Sequence, residues 1–182
     1  MDNALDRLPP KVEFISSGSR GSLIQYSDSS TFQAFRAESE EQERCAKQII
    51  SFAMKDDFVE GEVSKTQLYL EKLYLRDPFL FRESFTRAWV KLFGLDDEDH
   101  IYTLASVASC LPYEWLEHHG ITLILGCSSH PSLLVNEACL RLAEAWEQHE
   151  HVSYLKKMRA FDYPWLEEYR VNVIEYLEGL GK

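Results

Sequence analysis

The sequence predicts an all-α protein of stacked antiparallel helical hairpins, as either a short solenoid or an irregular helical bundle. Three observations point there. From Ser39 onward, apolar residues recur at the three-to-four-residue spacing of a buried helix face. Serine, aspartate and proline stand just ahead of those apolar stretches, where helices start. Glycine and proline are scarce, 8 and 6 in 182 residues, which argues against a loop-rich β sandwich.

The elements follow in order. Residues 1–37 are Ser/Gly-rich and hold two β-prone runs, "VEFIS" (12–16) and "SLIQY" (22–26), around "SGSRG". They read as a lead-in packed on the body, either a small hairpin or irregular. Residues 38–182 read as one helical domain. Ser39 with Gln42 forms a capping box, ahead of Ala46, Ile49, Ile50 and Ala53. Ser64 with Gln67 repeats that signal before Leu68, Leu70 and Leu73. Asp77-Pro78 opens a third helix, with Phe81, Phe85, Ala88, Trp89 and Leu92 inward and Gly94 as its stop. Asp96 and Asp99 open a fourth through Ile101, Leu104, Ala105 and Ala108. Pro112 starts a fifth, which Gly120 is placed to break before "ITLIL" (121–125). Pro131 starts a sixth, over about 131–148, with Leu134, Ala138, Leu142 and Ala145 in line. A short seventh covers about Val152 to Ala160. Pro164 starts an eighth, with Leu166, Tyr169, Val173, Tyr176 and Leu180 in line.

Composition narrows the function. The length suits a single domain with a real core. No apolar run approaches the ~18–20 residues of a membrane span. The start, "MDNALDRLPPKVEF", has neither the basic nor the apolar region of a signal peptide. Four cysteines (45, 110, 127, 139) fit free thiols in a reducing cytoplasm better than a disulfide framework. A net charge of −11 disfavours nucleic acid as partner and suits a basic protein.

That charge is uneven. Residues 38–62 carry eight acids and three bases, and residues 63–93 carry three acids and six bases. From Leu92 to Leu140 there is no Lys or Arg, while Asp96, Asp97, Glu98, Asp99, Glu114, Glu117 and Glu137 fall there. Tyr113 and Trp115 are interleaved with the acids. Aromatic anchors inside a charged rim suit a protein interface, although both residues are equally suited to a core. Trp89 and Trp146, on apolar helix faces, read as core.

Catalytic readings fare worse. Five of six histidines lie between His118 and His151, beside Cys127 and Cys139. Zinc needs three or four ligands around one point. A sixth helix over 131–148 would hold the half-site Cys127/His130 roughly 27 Å from His149. His149-Glu150-His151 lacks the i,i+4 spacing of H-E-x-x-H, and neighbours on a helix point apart. His118 and His119 before Gly120, and His149 after the sixth helix, suit the negative ends of helices. The sequence has no phosphate-binding or nucleophile-elbow motif, so the chain is read as a non-enzyme without metal or cofactor.

"LAEAW" (142–146) and "YLEGL" (176–180) lie 34 residues apart at equivalent helix ends, and Pro78, Pro131 and Pro164 each start a helix. In this the chain is similar to HEAT-type helical solenoids. Across residues 39–180, its acidic, motif-free helical profile also resembles immunity proteins that neutralise bacterial toxins. That resemblance implies a cytoplasmic inhibitor of a basic toxin domain. Asp96, Asp97, Glu98, Asp99, Glu114 and Glu117 would pair with its Lys or Arg, and Tyr113 or Trp115 would anchor it. A helical adaptor or regulatory subunit is the second reading, and a Cys- or metal-dependent enzyme the third.

Overall fold

The computed structural model describes residues 29–95 and 97–181. The β-prone runs at 12–16 and 22–26 lie outside the described residues, as does Asp96. Among the described residues there are nine α-helices, one 3-10 turn and no strand, so the protein is all-α. No described helix is long and apolar enough to cross a membrane. The chain divides into two units between Glu41 and Gln42.

Helix α1, Ser29–Ala53, crosses that division and starts ten residues before the expected capping box. The box at Ser39 and Gln42 is overridden because "TFQAFRAE" contains no breaker, and Arg36 pairs with Glu40 one turn on. Within the second unit, Ala46, Ile49 and Ala53 are buried as the periodicity predicts.

Helix α2 spans Lys65–Arg76, and Ser64 caps it by accepting from the Gln67 amide at 3.1 Å. Helix α3, Pro78–Leu95, starts where Asp77 Oδ1 accepts from the Phe79 and Leu80 amides. Its Phe81, Phe85, Ala88, Trp89 and Leu92 are all buried. Each of the two phenylalanine rings contributes about 2–3 kcal/mol by leaving water. The helix runs one residue past Gly94.

Helix α4, Glu98–Ser109, is capped by Asp97 rather than by Asp96 or Asp99. Seven of its twelve residues are buried, from Ile101 to Ala108. The next segment corrects the expected fifth helix. Helix α5 is a single turn, Tyr113–Leu116, and the break falls at Glu117, whose φ of 51° few non-glycine residues adopt. Gly120 breaks nothing. It lies inside helix α6, His118–Ser129, where a Cβ would come within 3.0 Å of the Trp146 and Tyr113 rings. Glycine stands there because two aromatic rings pack on the backbone.

Helix α7, Leu133–Trp146, ends with Glu147 in the left-handed conformation. It is shorter at both ends than the predicted sixth helix, so His149 sits on the 3-10 turn His149–His151 and not at a helix end. The predicted seventh helix is one turn, α8, Val152–Leu155. Helix α9 spans Pro164–Leu180, with Leu166, Val173 and Leu177 buried.

The most extensive pairing is α4 on α7, followed by α6 on α7 and α2 on α3, with α9 completing the α7 side. One contiguous core runs through them. The two segments 34 residues apart do not pack alike. Leu142 and Trp146 are buried, whereas their counterparts Tyr176 and Leu180 are exposed.

Candidate protein-binding surface

The cation-free stretch folds into two acidic clusters at opposite ends of α4. Twelve residues at ~1.5 Å rise put about 18 Å between them. At the first end, Asp97 accepts from the His100 amide at 3.4 Å and pairs with His100 Nδ1 at 2.6 Å. The His100 hydrogen bond holds the Asp97 carboxyl below its usual range. Glu98 and Asp99 are exposed, and their carboxylates make no ion pair among the described residues. Helix geometry accounts for them, since acids stabilise a helix N-terminus.

At the other end the candidates are engaged within the protein. Trp115 is half-buried and stacks on Tyr74 at 4.1 Å and 6°, with Phe81 edge-on at 6.4 Å. Tyr113 packs against Trp146 and His151, and its hydroxyl donates to Glu150 at 2.6 Å. Burial first, then that carboxylate, pushes the Tyr113 phenol well up. Glu117 pairs with Arg82 at 2.7 Å, and the same guanidinium donates to the Trp115 and Glu114 carbonyls. Arg82 comes from α3, so the stretch without cations in sequence has one in space. Of these candidates, Glu114 is left exposed with a carboxylate unpaired among the described residues.

The histidines disperse. The fourteen residues of α7 place about 21 Å between His130 and His149. His118 and His119 start α6 rather than end a helix, so the expected interaction with a negative helix end is absent there. Their rings lie 4.3 Å apart, so here sequence neighbours do meet. Desolvation, then His118, lowers the His119 pKa, and its Nδ1 lies 2.9 Å from Thr86 Oγ1. His149 Nδ1 donates to the Leu177 carbonyl, 3.1 Å away. His151 is fully buried, and neither ring nitrogen makes a hydrogen bond among the described residues. Burial raises the thiol pKa of Cys127, and that of Cys139 to about 12, which disfavours the reactive thiolate. No group of three or more His, Cys, Asp or Glu able to hold a metal occurs among the described residues.

One concave site was missed from sequence. A cleft of about 520 Å³ opens between the C-terminal end of α4, the middle of α7, Tyr169 of α9 and the segment at Phe58–Gly61. Arg141 crosses it, with Nη2 2.8 Å from Glu137 and Nη1 3.6 Å from Glu60. Tyr169 donates its hydroxyl to Glu144. The signal lay in α7, where Glu137, Arg141 and Glu144 fall at i, i+4 and i+7 opposite the apolar stripe. No family model, curated protein or solved structure matches the chain.

Proposed function

We propose that the chain works by binding a basic protein, as a cytoplasmic immunity-type inhibitor of a toxin domain. One observation carries this reading. At least eight of the fifteen Lys and Arg residues in the described segments pair with acids of the same chain, while exposed carboxylates remain without such a partner among the described residues. Arg82 pairs with Glu117, Lys91 with Glu43, Arg141 with Glu137, Lys156 with Glu178 and Arg170 with Glu167. A net charge of −11 is left, with Glu98, Asp99 and Glu114 among its exposed carriers. A surface of that sign steers and selects a basic partner. Free cysteines, three of them buried, support a reducing compartment.

The test is co-purification of the tagged chain from its native cells at low salt, then expression of the captured protein alone. The expected partner is basic, arrests growth by itself, and is silenced by co-expression of this chain. Association should slow with added salt, and slow further with Glu98→Lys and Asp99→Lys together. A neutral or acidic partner, or an association rate indifferent to salt, would sink the proposal. A harmless basic partner inside a stable multi-subunit complex would shift it to an adaptor.

A further inference from the structure

The cleft crossed by Arg141 has features that the binding reading does not use. Glu60, Glu137 and Glu144 line the cleft with a single cation, Arg141, leaving a surplus of two negative charges. Arg141 is committed chiefly to Glu137, through both Nε and Nη2. Its contact with Glu60 is long, at 3.6 Å, and the Glu60 side chain is 85% exposed. Glu144 is held by the neutral Tyr169 hydroxyl, which orients the carboxylate without cancelling its charge. The Phe58 ring, braced edge-on by Tyr102 at 6.3 Å, and the Tyr169 ring supply aromatic surface beside these acids.

A second observation is independent of the acids. Ser106, only 4% exposed, is the most deeply buried residue lining the cleft, and its hydroxyl has no hydrogen-bond partner among the described residues. That oxygen is closed to solvent, so Ser106 forms the buried floor of the cleft, beneath the acidic and aromatic groups of its walls. Carboxylates at the mouth and aromatic walls fit an organic cation on an apolar stem. The volume lies within the range of small-ligand sites. An anion is disfavoured by the charge.

We propose that this cleft accepts a lysine or arginine side chain and is where the basic partner is gripped. The second half rests on the basic-partner reading, while the cleft's preference for a cation does not. Cys110 lines the cleft and is the exposed cysteine of the chain's four, so it reports occupancy.

The experiment measures alkylation of Cys110 by iodoacetamide, located by mass spectrometry, with Nα-acetylarginine methylamide as the probe. The arginine probe should slow alkylation with half-saturation in the millimolar range. Its neutral citrulline counterpart should not. Glu60→Gln with Glu144→Gln keeps the acceptor for Tyr169, removes that surplus of charge, and should weaken protection roughly fivefold or more. Circular dichroism checks that the variant is folded. Absence of protection, or equal protection by the citrulline compound, overturns the cleft whatever partner exists. With a basic partner in hand, binding sensitive to Glu98→Lys and Asp99→Lys but not to Glu60→Gln and Glu144→Gln overturns the cleft and leaves the basic-partner reading intact. Binding lost after alkylation of Cys110, with the melting temperature unchanged, supports it.

Discussion

Candidate acids lie at both ends of α4, and the fold uses them differently. At the N-terminal end, Asp97 caps the helix while Glu98 and Asp99 point into solvent. At the C-terminal end, Tyr113, Trp115 and Glu117 are bound to Glu150, Tyr74 and Arg82. Trp146 joins that end from α7, its indole N–H shared between the Ala108 and Leu111 carbonyls at 3.3 and 3.1 Å. Ala108 lies in the last turn of α4 and Leu111 just beyond it, where helices leave acceptors open. One end of the helix is therefore available to another molecule, and the other belongs to the core. An aromatic beside an acid marks an interface only where the fold leaves both unengaged.

The largest expected effect breaks the engaged end. Trp146→Ala removes a buried ring and two hydrogen bonds to buried carbonyls. Urea unfolding should show a loss of about 3–5 kcal/mol. A loss under about 1 kcal/mol would mean that the α4–α7 junction is not what holds this end.

Next comes pH, acting on the same junction. His151 is fully buried against Tyr113 and Trp146, and burial lowers its pKa from 6.5 to about 4, with adjacent Glu150 opposing. Glu150 is adjacent and Tyr113 packs on the ring, and neither hydrogen-bonds it among the described residues. The folded pKa lies below the unfolded one, so the unfolded chain takes the proton first as pH falls. This group's contribution is full above about pH 6.5 and declines toward pH 4, by about 3 kcal/mol in all. His151→Phe keeps an aromatic ring there and should flatten that part of the stability profile. The difference between wild type and variant isolates His151 from the carboxylates that also titrate. Equal slopes for the two proteins would refute the assignment.

The open end should respond more mildly. Asp97→Ala loses the cap on α4, a change of about 1 kcal/mol in thermal unfolding. Because His100 holds the Asp97 carboxyl low, that contribution is present at neutral pH and is lost as pH falls through the acid range. A destabilisation equal to that of Trp146→Ala would erase the contrast between the two ends.

Much of this architecture was legible because it depends on local chemistry. Ser64, Asp77 and Pro164 each start a helix for reasons contained within four residues. The inward face of α3 follows from its spacing alone. The break at Glu117 was not legible, since a positive φ at glutamate is imposed by packing and by Arg82 from another helix. Gly120 misled for the converse reason. Its glycine answers to the rings of Trp146 and Tyr113, one of them 26 positions away in sequence. Charge behaved likewise, because 49 residues without a cation say nothing of an arginine folded over them. The cleft at Arg141 needed α4, α7 and α9 to meet, although its polar stripe on α7 stood in the sequence.

The smallest effect sharpens the comparison most, because one chemical change is made at both ends. Glu98→Gln with Asp99→Asn removes two exposed charges from the first turn of α4. Helix-dipole interactions there are screened, so stability should fall by only a few tenths of a kcal/mol. Association with a basic partner should slow, and its dependence on salt should flatten. Glu117→Gln at the other end loosens Arg82, which still donates to the Trp115 and Glu114 carbonyls. An ion pair that meets water on its glutamate side is worth about 0–1 kcal/mol, so melting should shift slightly. The association rate should stay as it was, since the Glu117 charge is already answered from within. Stopped-flow mixing at two ionic strengths reads both variants. If Glu117→Gln slows association as much as the open-end pair does, the two ends act on the partner alike and the distinction between them fails.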